Sequence, residues 1–239
     1  MSPILWLVAF AVTLGAAVVQ GTVGVGFAMI SVPILLLIDP QLAPEPQLLT
    51  ALPLSILIAW RERSSIELHG FWWIIVGRVP GAIIGVTLLA IASQTVLDMF
   101  TGIVVLAAVG AIATGFHVRR TRTTKFITGV TSGTTGVVAS IGGPPIALLY
   151  SSAEATTIRS TLAAVFTLGL SLSIVFRLGT GHLDGADLRV AVVLLPAVGL
   201  GYVVSTLVKD RVPVERVRVA ILVLSALAAS ALILRGLIT

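Results

Sequence analysis

Apolar runs broken by short polar intervals fill this chain from end to end. A membrane-spanning helix needs about 20 apolar residues. The runs divide into ten helical elements, at 4–23, 26–38, 47–60, 70–91, 95–116, 126–139, 143–151, 159–178, 186–207 and 214–235. Elements two, six and seven are too short to cross a bilayer comfortably, and they carry glycines and prolines that a plain spanning helix does not need. The pattern predicts an all-α polytopic membrane protein with broken or re-entrant hairpins at those places.

The short elements belong to a duplication. Gly21-Thr22-Val23-Gly24-Val25, leading to Pro33-Ile34-Leu35-Leu36-Leu37, is repeated as Gly133-Thr134-Thr135-Gly136-Val137, leading to Pro145-Ile146-Ala147-Leu148-Leu149; across 21–37 and 133–149, 8 of 17 residues are identical. The likeness continues where Val79-Pro80-Gly81-Ala82 and Gly85 answer Leu195-Pro196-Ala197-Val198 and Gly201. Each half reads as about five elements. An odd count turns the second copy upside down relative to the first, which makes an inverted repeat. The expected units are 1–116 and 126–239, joined by a basic cytoplasmic linker at 117–125.

Charge fits this parity. With the N-terminus outside, the cytoplasmic segments 61–70, 117–125, 151–159 and 208–218 hold 11 of the 15 Lys and Arg residues, while the ten acidic residues divide evenly. Only positive charge sets orientation, so both termini are expected outside a cytoplasmic (cell) membrane. Trp60, Trp72 and Trp73 then gather at the cytoplasmic interface, where indoles prefer to sit. With 57% hydrophobic and 10% charged residues and a mean hydropathy of +1.11, the composition lies far from the roughly 25% charge of soluble domains. The N-terminus lacks the basic region of a cleavable signal, so the first helix is expected to be retained.

A net charge of +5 does not point to nucleic acid, because the basic residues sit in short loops between apolar runs. No cysteine is present, which removes thiol chemistry and thiolate metal sites. His69, His117 and His182 fall in predicted loops and form no metal-binding pattern, so no cofactor or metal is expected. An enzyme would need a nucleophile with a base, or a metal, and the membrane region offers neither.

An interrupted helix leaves N–H and C=O groups that lipid cannot satisfy, so such breaks are buried in protein or line a cavity. Gly24 and Gly26 break the first hairpin; Gly142, Gly143, Pro144 and Pro145 break the second. A helix restarting after each break presents partly positive amides. Two such tips, with the backbone of Val25 and Gly136 and the hydroxyls of Thr22, Thr134, Thr135 and Ser140, would cradle a small oxyanion. Packing of small residues around proline kinks is the competing explanation for either hairpin taken singly. Arg78 is the one ionisable residue well inside a predicted helix, and arginine suits bidentate oxyanion binding. Snorkelling would also account for it, and its counterpart, Leu194, gives no paired role. Gly77, Gly81 and Gly85 recur every four residues, a pattern for close helix contact. Arg61 and Arg177 end corresponding helices and are read as anchors, with guidance of anions toward an opening as the alternative.

These paired hairpins, Gly21-Thr22-Val23-Gly24-Val25-Gly26-Phe27 with Pro33 and Gly133-Thr134-Thr135-Gly136 with Gly142-Gly143-Pro144-Pro145, resemble those of the sulfite exporter TauE/SafE family of membrane permeases. The proline–glycine helices around Pro80 and Pro196 agree. The resemblance implies export of a small anion, sulfite or an organosulfonate, and does not identify which. The expected mechanism is alternating access around the two tips. An anion channel using the tips as a static filter and a non-transporting scaffold are the alternatives. A coupling ion, proton or sodium, leaves no signature: no carboxylate falls at mid-membrane, and backbone carbonyls would serve sodium without one. Expected partners are the small anionic substrate and the lipid bilayer, with oligomeric state open.

Overall fold

The computed structural model describes residues 2–115, 118–211 and 214–238, with side chains left undescribed at 214–216. His117, the 116/117 unit boundary and the Arg216 side chain lie outside the described residues. Among the described residues ten α-helices form: α1 (Pro3–Val23), α2 (Phe27–Ile38), α3 (Glu45–Arg61), α4 (Phe71–Ile91), α5 (Gln94–Ala113), α6 (Arg122–Ala139), α7 (Gly143–Tyr150), α8 (Ala155–Gly179), α9 (Gly185–Val208) and α10 (Val214–Ile238). They match the ten expected elements to within a few residues. Local chemistry sets their ends. Ser2 caps α1 with Pro3 at the first helical position, and reciprocal capping boxes open α6 (Thr121, Thr124) and α9 (Asp184, Asp187), each satisfying amides that would otherwise be orphaned.

Seven of these helices are long and apolar enough to cross a membrane; α2, α6 and α7 are not among them. The chain is a multi-pass membrane protein. Apolar side chains are exposed along α4 (Val76, Val79, Ile83), α9 (Val192, Val193, Leu200) and α10 (Val219, Val223, Leu227), as suits helices that face lipid, and Trp60, Trp72 and Trp73 are exposed as well.

Glycine contacts hold the helices close. α4 packs along α6 in the same direction: a Cβ on Gly77 would lie 2.2 Å from the Phe126 carbonyl oxygen, one on Gly81 2.2 Å from that of Val130, and one on Gly85 2.8 Å from Val137 Cβ. These obstacles are mostly rigid backbone, so the three glycines are packing residues. α1 packs along α9 in the same manner, with Gly21 against Ser205 and Gly201 against Ala17. α3 lies between α8 and α9, and α5 packs on α10.

Buried arginines tie the helix ends. At one end Glu62 accepts from Arg61 and, through both carboxylate oxygens, from Arg159, each at 3.0 Å, and Lys209 approaches to 3.9 Å. Arg61 also donates to the Gly21 carbonyl at 2.7 Å near the end of α1. At the opposite end Arg177, fully buried, pairs with Glu45 and donates to the Val137 and Val138 carbonyls near the end of α6. Both arginines thus anchor helix ends, occupying carbonyls left free by the helix.

Candidate functional site

The two glycine hairpins meet. Gly24 (φ 96°) ends α1 and Gly26 (φ 126°) precedes α2, both in backbone conformations that side chains strongly disfavour. Between them Val25 projects onto the second hairpin: a Cβ on Gly143 would fall 2.9 Å from Val25 Cγ2. The second break comes one turn later in its copy. Val138 stands where Gly26 does and continues α6, and the turn is made at Ser140 (φ 58°) and Ile141 before α7 starts at Gly143.

A cavity of about 30 Å³, room for about two waters, lies between these tips, bordered by Gln20, Val25, Gly26, Arg78, Ser140 and Gly142, with Phe166 and Leu170 on its apolar side. Arg78 reaches it from α4 and is 2% exposed. One guanidinium nitrogen donates to Ser132 Oγ at 2.6 Å, and Ser132 in turn donates to the Gly142 carbonyl at 2.5 Å. Glycines make the space. A Cβ on Gly169 would stand 2.3 Å from Arg78 Cζ and Nε, one on Gly136 2.9 Å from Nη2, and one on Gly142 3.1 Å from Nη1. No carboxylate pairs with Arg78 among the described residues, and its Nε has no hydrogen-bond partner. A buried cation that no carboxylate neutralises can pair with an anion where the space beside it allows.

The amides fit the same chemistry unequally. The first turn of α2 has no side-chain cap and supplies donors at Phe27, Ala28 and Met29. α7 has Pro144 and Pro145 in its first turn, which lack N–H groups, so few of its first amides can donate. Gln20, half-engaged through a 3.5 Å bond to Ser55, adds a side-chain amide.

Of the residues singled out in the sequence, Val25, Gly26, Arg78, Gly136, Ser140, Gly142 and Gly143 gather at this cavity. Ser140 directs its hydroxyl to the Pro44 carbonyl. Four others stand apart from its lining. Thr22 donates to Val18, Thr134 to Gly81 and Val130, and Thr135 to Thr131 carbonyls, while Gly24 packs against the backbone of Arg159. Gln20, Ser132, Phe166 and Gly169 are additions that sequence reading missed. Gln20, a polar residue one position before the duplicated segment, is the one that carried a readable signal.

No curated protein and no solved structure matches the chain. The residue pattern of the sulfite exporter TauE/SafE family, in contrast, matches residues 9–232, nearly the whole length. On that match the chain belongs to the sulfite exporter TauE/SafE family of membrane permeases.

Proposed function

We propose that this permease exports small oxyanions, sulfite or organosulfonates foremost, across the cytoplasmic membrane by alternating access. The observation that carries the reading is Arg78: fully buried, without a carboxylate partner among the described residues, and held by glycines on the wall of the cavity between two helix breaks. An uncompensated charge in such a place is destabilising. An anion bound there would relieve it, with Arg78, Gln20 and the first amides of α2 as donors and Phe166 and Leu170 excluding water.

The halves 1–116 and 126–239 act in this reading as inverted repeats, with both termini outside. The corresponding packing of α4 on α6 and α9 on α1, and the corresponding anchors Arg61 and Arg177, support it. Ion pairs across both ends of the molecule favour a gated carrier over a static filter. The decisive experiment is sulfite and sulfonate binding to the purified protein, followed by flux in proteoliposomes with and without imposed proton or sodium gradients. Arg78→Ala should abolish binding, and Arg78→Lys should retain part of it, since lysine keeps the charge but loses the planar fork. Unchanged affinity in both variants would overturn the reading.

A further inference from the structure

A second polar cavity lies away from the hairpins, at the end where Glu62 gathers its cations. His69, Gly70, Trp73, Arg120, Arg122 and Lys125 border about 140 Å³, room for several waters. α4 and α6 both begin here. α4 opens without a side-chain cap, and Thr121 caps α6, so two helix N-termini add partial positive charge to three cationic side chains. Lys125 is 3% exposed and donates to the His69 carbonyl at 2.5 Å. Gly70 (φ 72°) makes its position feasible, because a Cβ there would stand 2.4 Å from the ammonium. Arg120 pairs with Glu67 at 2.8 Å and lies over the Tyr150 ring, whereas Arg122 is exposed and enters no ion pair or hydrogen bond among the described residues. Glu67 offsets one of three charges, leaving a cavity with a net excess of two.

We propose that this cavity binds the phosphodiester headgroup of an anionic phospholipid. Two features select a lipid over a dissolved anion. Trp73, on the wall, is 43% exposed beside the exposed Trp72, which sets the cavity at headgroup level. From Trp73 the outer face of α4 continues through Val76, Val79 and Ile83, and α6 contributes Ile127, all exposed and apolar. An acyl chain can lie along this face while its phosphate sits among Arg120, Arg122 and Lys125. Basic pockets between membrane helices take such headgroups. The proposal does not depend on the oxyanion reading of the central cavity.

The test is native mass spectrometry of the full chain in detergent, titrated with phosphatidylglycerol, with phosphatidylcholine and with inorganic phosphate. Phosphatidylglycerol should bind at least tenfold more tightly than phosphatidylcholine. Each cation near a membrane surface strengthens anionic-lipid binding about fivefold, so Arg122→Gln should weaken phosphatidylglycerol about fivefold and leave phosphatidylcholine unaltered. Arg122 makes no described contact that folding would lose. Arg120→Gln/Arg122→Gln should erase the preference. Equal affinity for the two lipids, or an Arg122→Gln protein indistinguishable from the parent, would overturn the site. Inorganic phosphate binding as tightly as phosphatidylglycerol would overturn the lipid as its occupant.

Discussion

Replacing Gly169 by alanine tests the Arg78 site with one added methyl group. The new Cβ would lie 2.3 Å from the guanidinium carbon and Nε, against ordinary contact beginning near 3.4 Å. Arg78 must therefore retreat by about 1 Å, and a misplacement of that size at a binding group costs on the order of 100-fold in rate. Retreat is constrained, since Gly136, Gly142 and Ser132 close the other sides of the guanidinium. Overpacking at a tight buried position costs about 1–3 kcal/mol of stability, which leaves a folded protein to assay. Gly179, on the same helix with nothing within 4 Å of an added Cβ, is the matched control. In proteoliposomes, Gly169→Ala should lower sulfite flux by about 10- to 100-fold, while Gly179→Ala transports normally. The two changes at Arg78 and Gly169 should also be non-additive, because they act on one group: in an Arg78→Ala background, Gly169→Ala should do nothing further. Wild-type flux from monodisperse Gly169→Ala protein would refute the role given to the guanidinium.

Other substitutions probe the surroundings. Gly143→Leu drives a side chain into Val25 and Phe166 and should abolish flux while the protein still inserts, as read by transport alongside membrane fractionation. Glu62→Gln removes the carboxylate from Arg159 and Arg61; breaking a buried pair costs about 3–5 kcal/mol, so thermal unfolding in detergent should occur well below the parent temperature. Gly81→Leu meets the Val130 backbone at 2.2 Å and should reduce the yield of folded protein, seen as aggregation on size-exclusion chromatography, whereas Thr134→Val, losing a hydroxyl bond to the Gly81 carbonyl, should cost about 1 kcal/mol.

Much of this organisation was legible because lipid imposes so few backbone solutions. Runs of apolar residues and the paired glycine–proline interruptions located the ten helices of the described residues. They also located the place where Val25 meets Gly143. The one-turn offset between the two breaks was harder to read. It depends on Val138, which cannot take the backbone conformation that Gly26 allows, so α6 runs on and Ser140 turns instead. The threonines were misleading for a different reason: a hydroxyl in a helix can bond back to the carbonyl four residues earlier, as Thr22 and Thr135 do. Arg78 left two explanations open in the sequence, because only three-dimensional packing brings Gly136, Gly142 and Gly169 around its tip. Gly169 lies 91 positions away along the chain, with no pattern connecting the two.

The crossing of α3 with α8 carries a consequence for motion. Glu62 grips Arg159 where one helix finishes and the other starts, and Glu45 grips Arg177 at the far extremity. In the proposed alternating-access cycle, two clasps on a single antiparallel pair would be undone one at a time, as with the gates of a canal lock. If releasing each has a free-energy cost, releasing one while its twin stays fastened keeps the doubly open leak rare by the product of both populations. In that cycle, weakening either clasp short of unfolding the protein should therefore tilt it toward one face of the membrane without making it permeable.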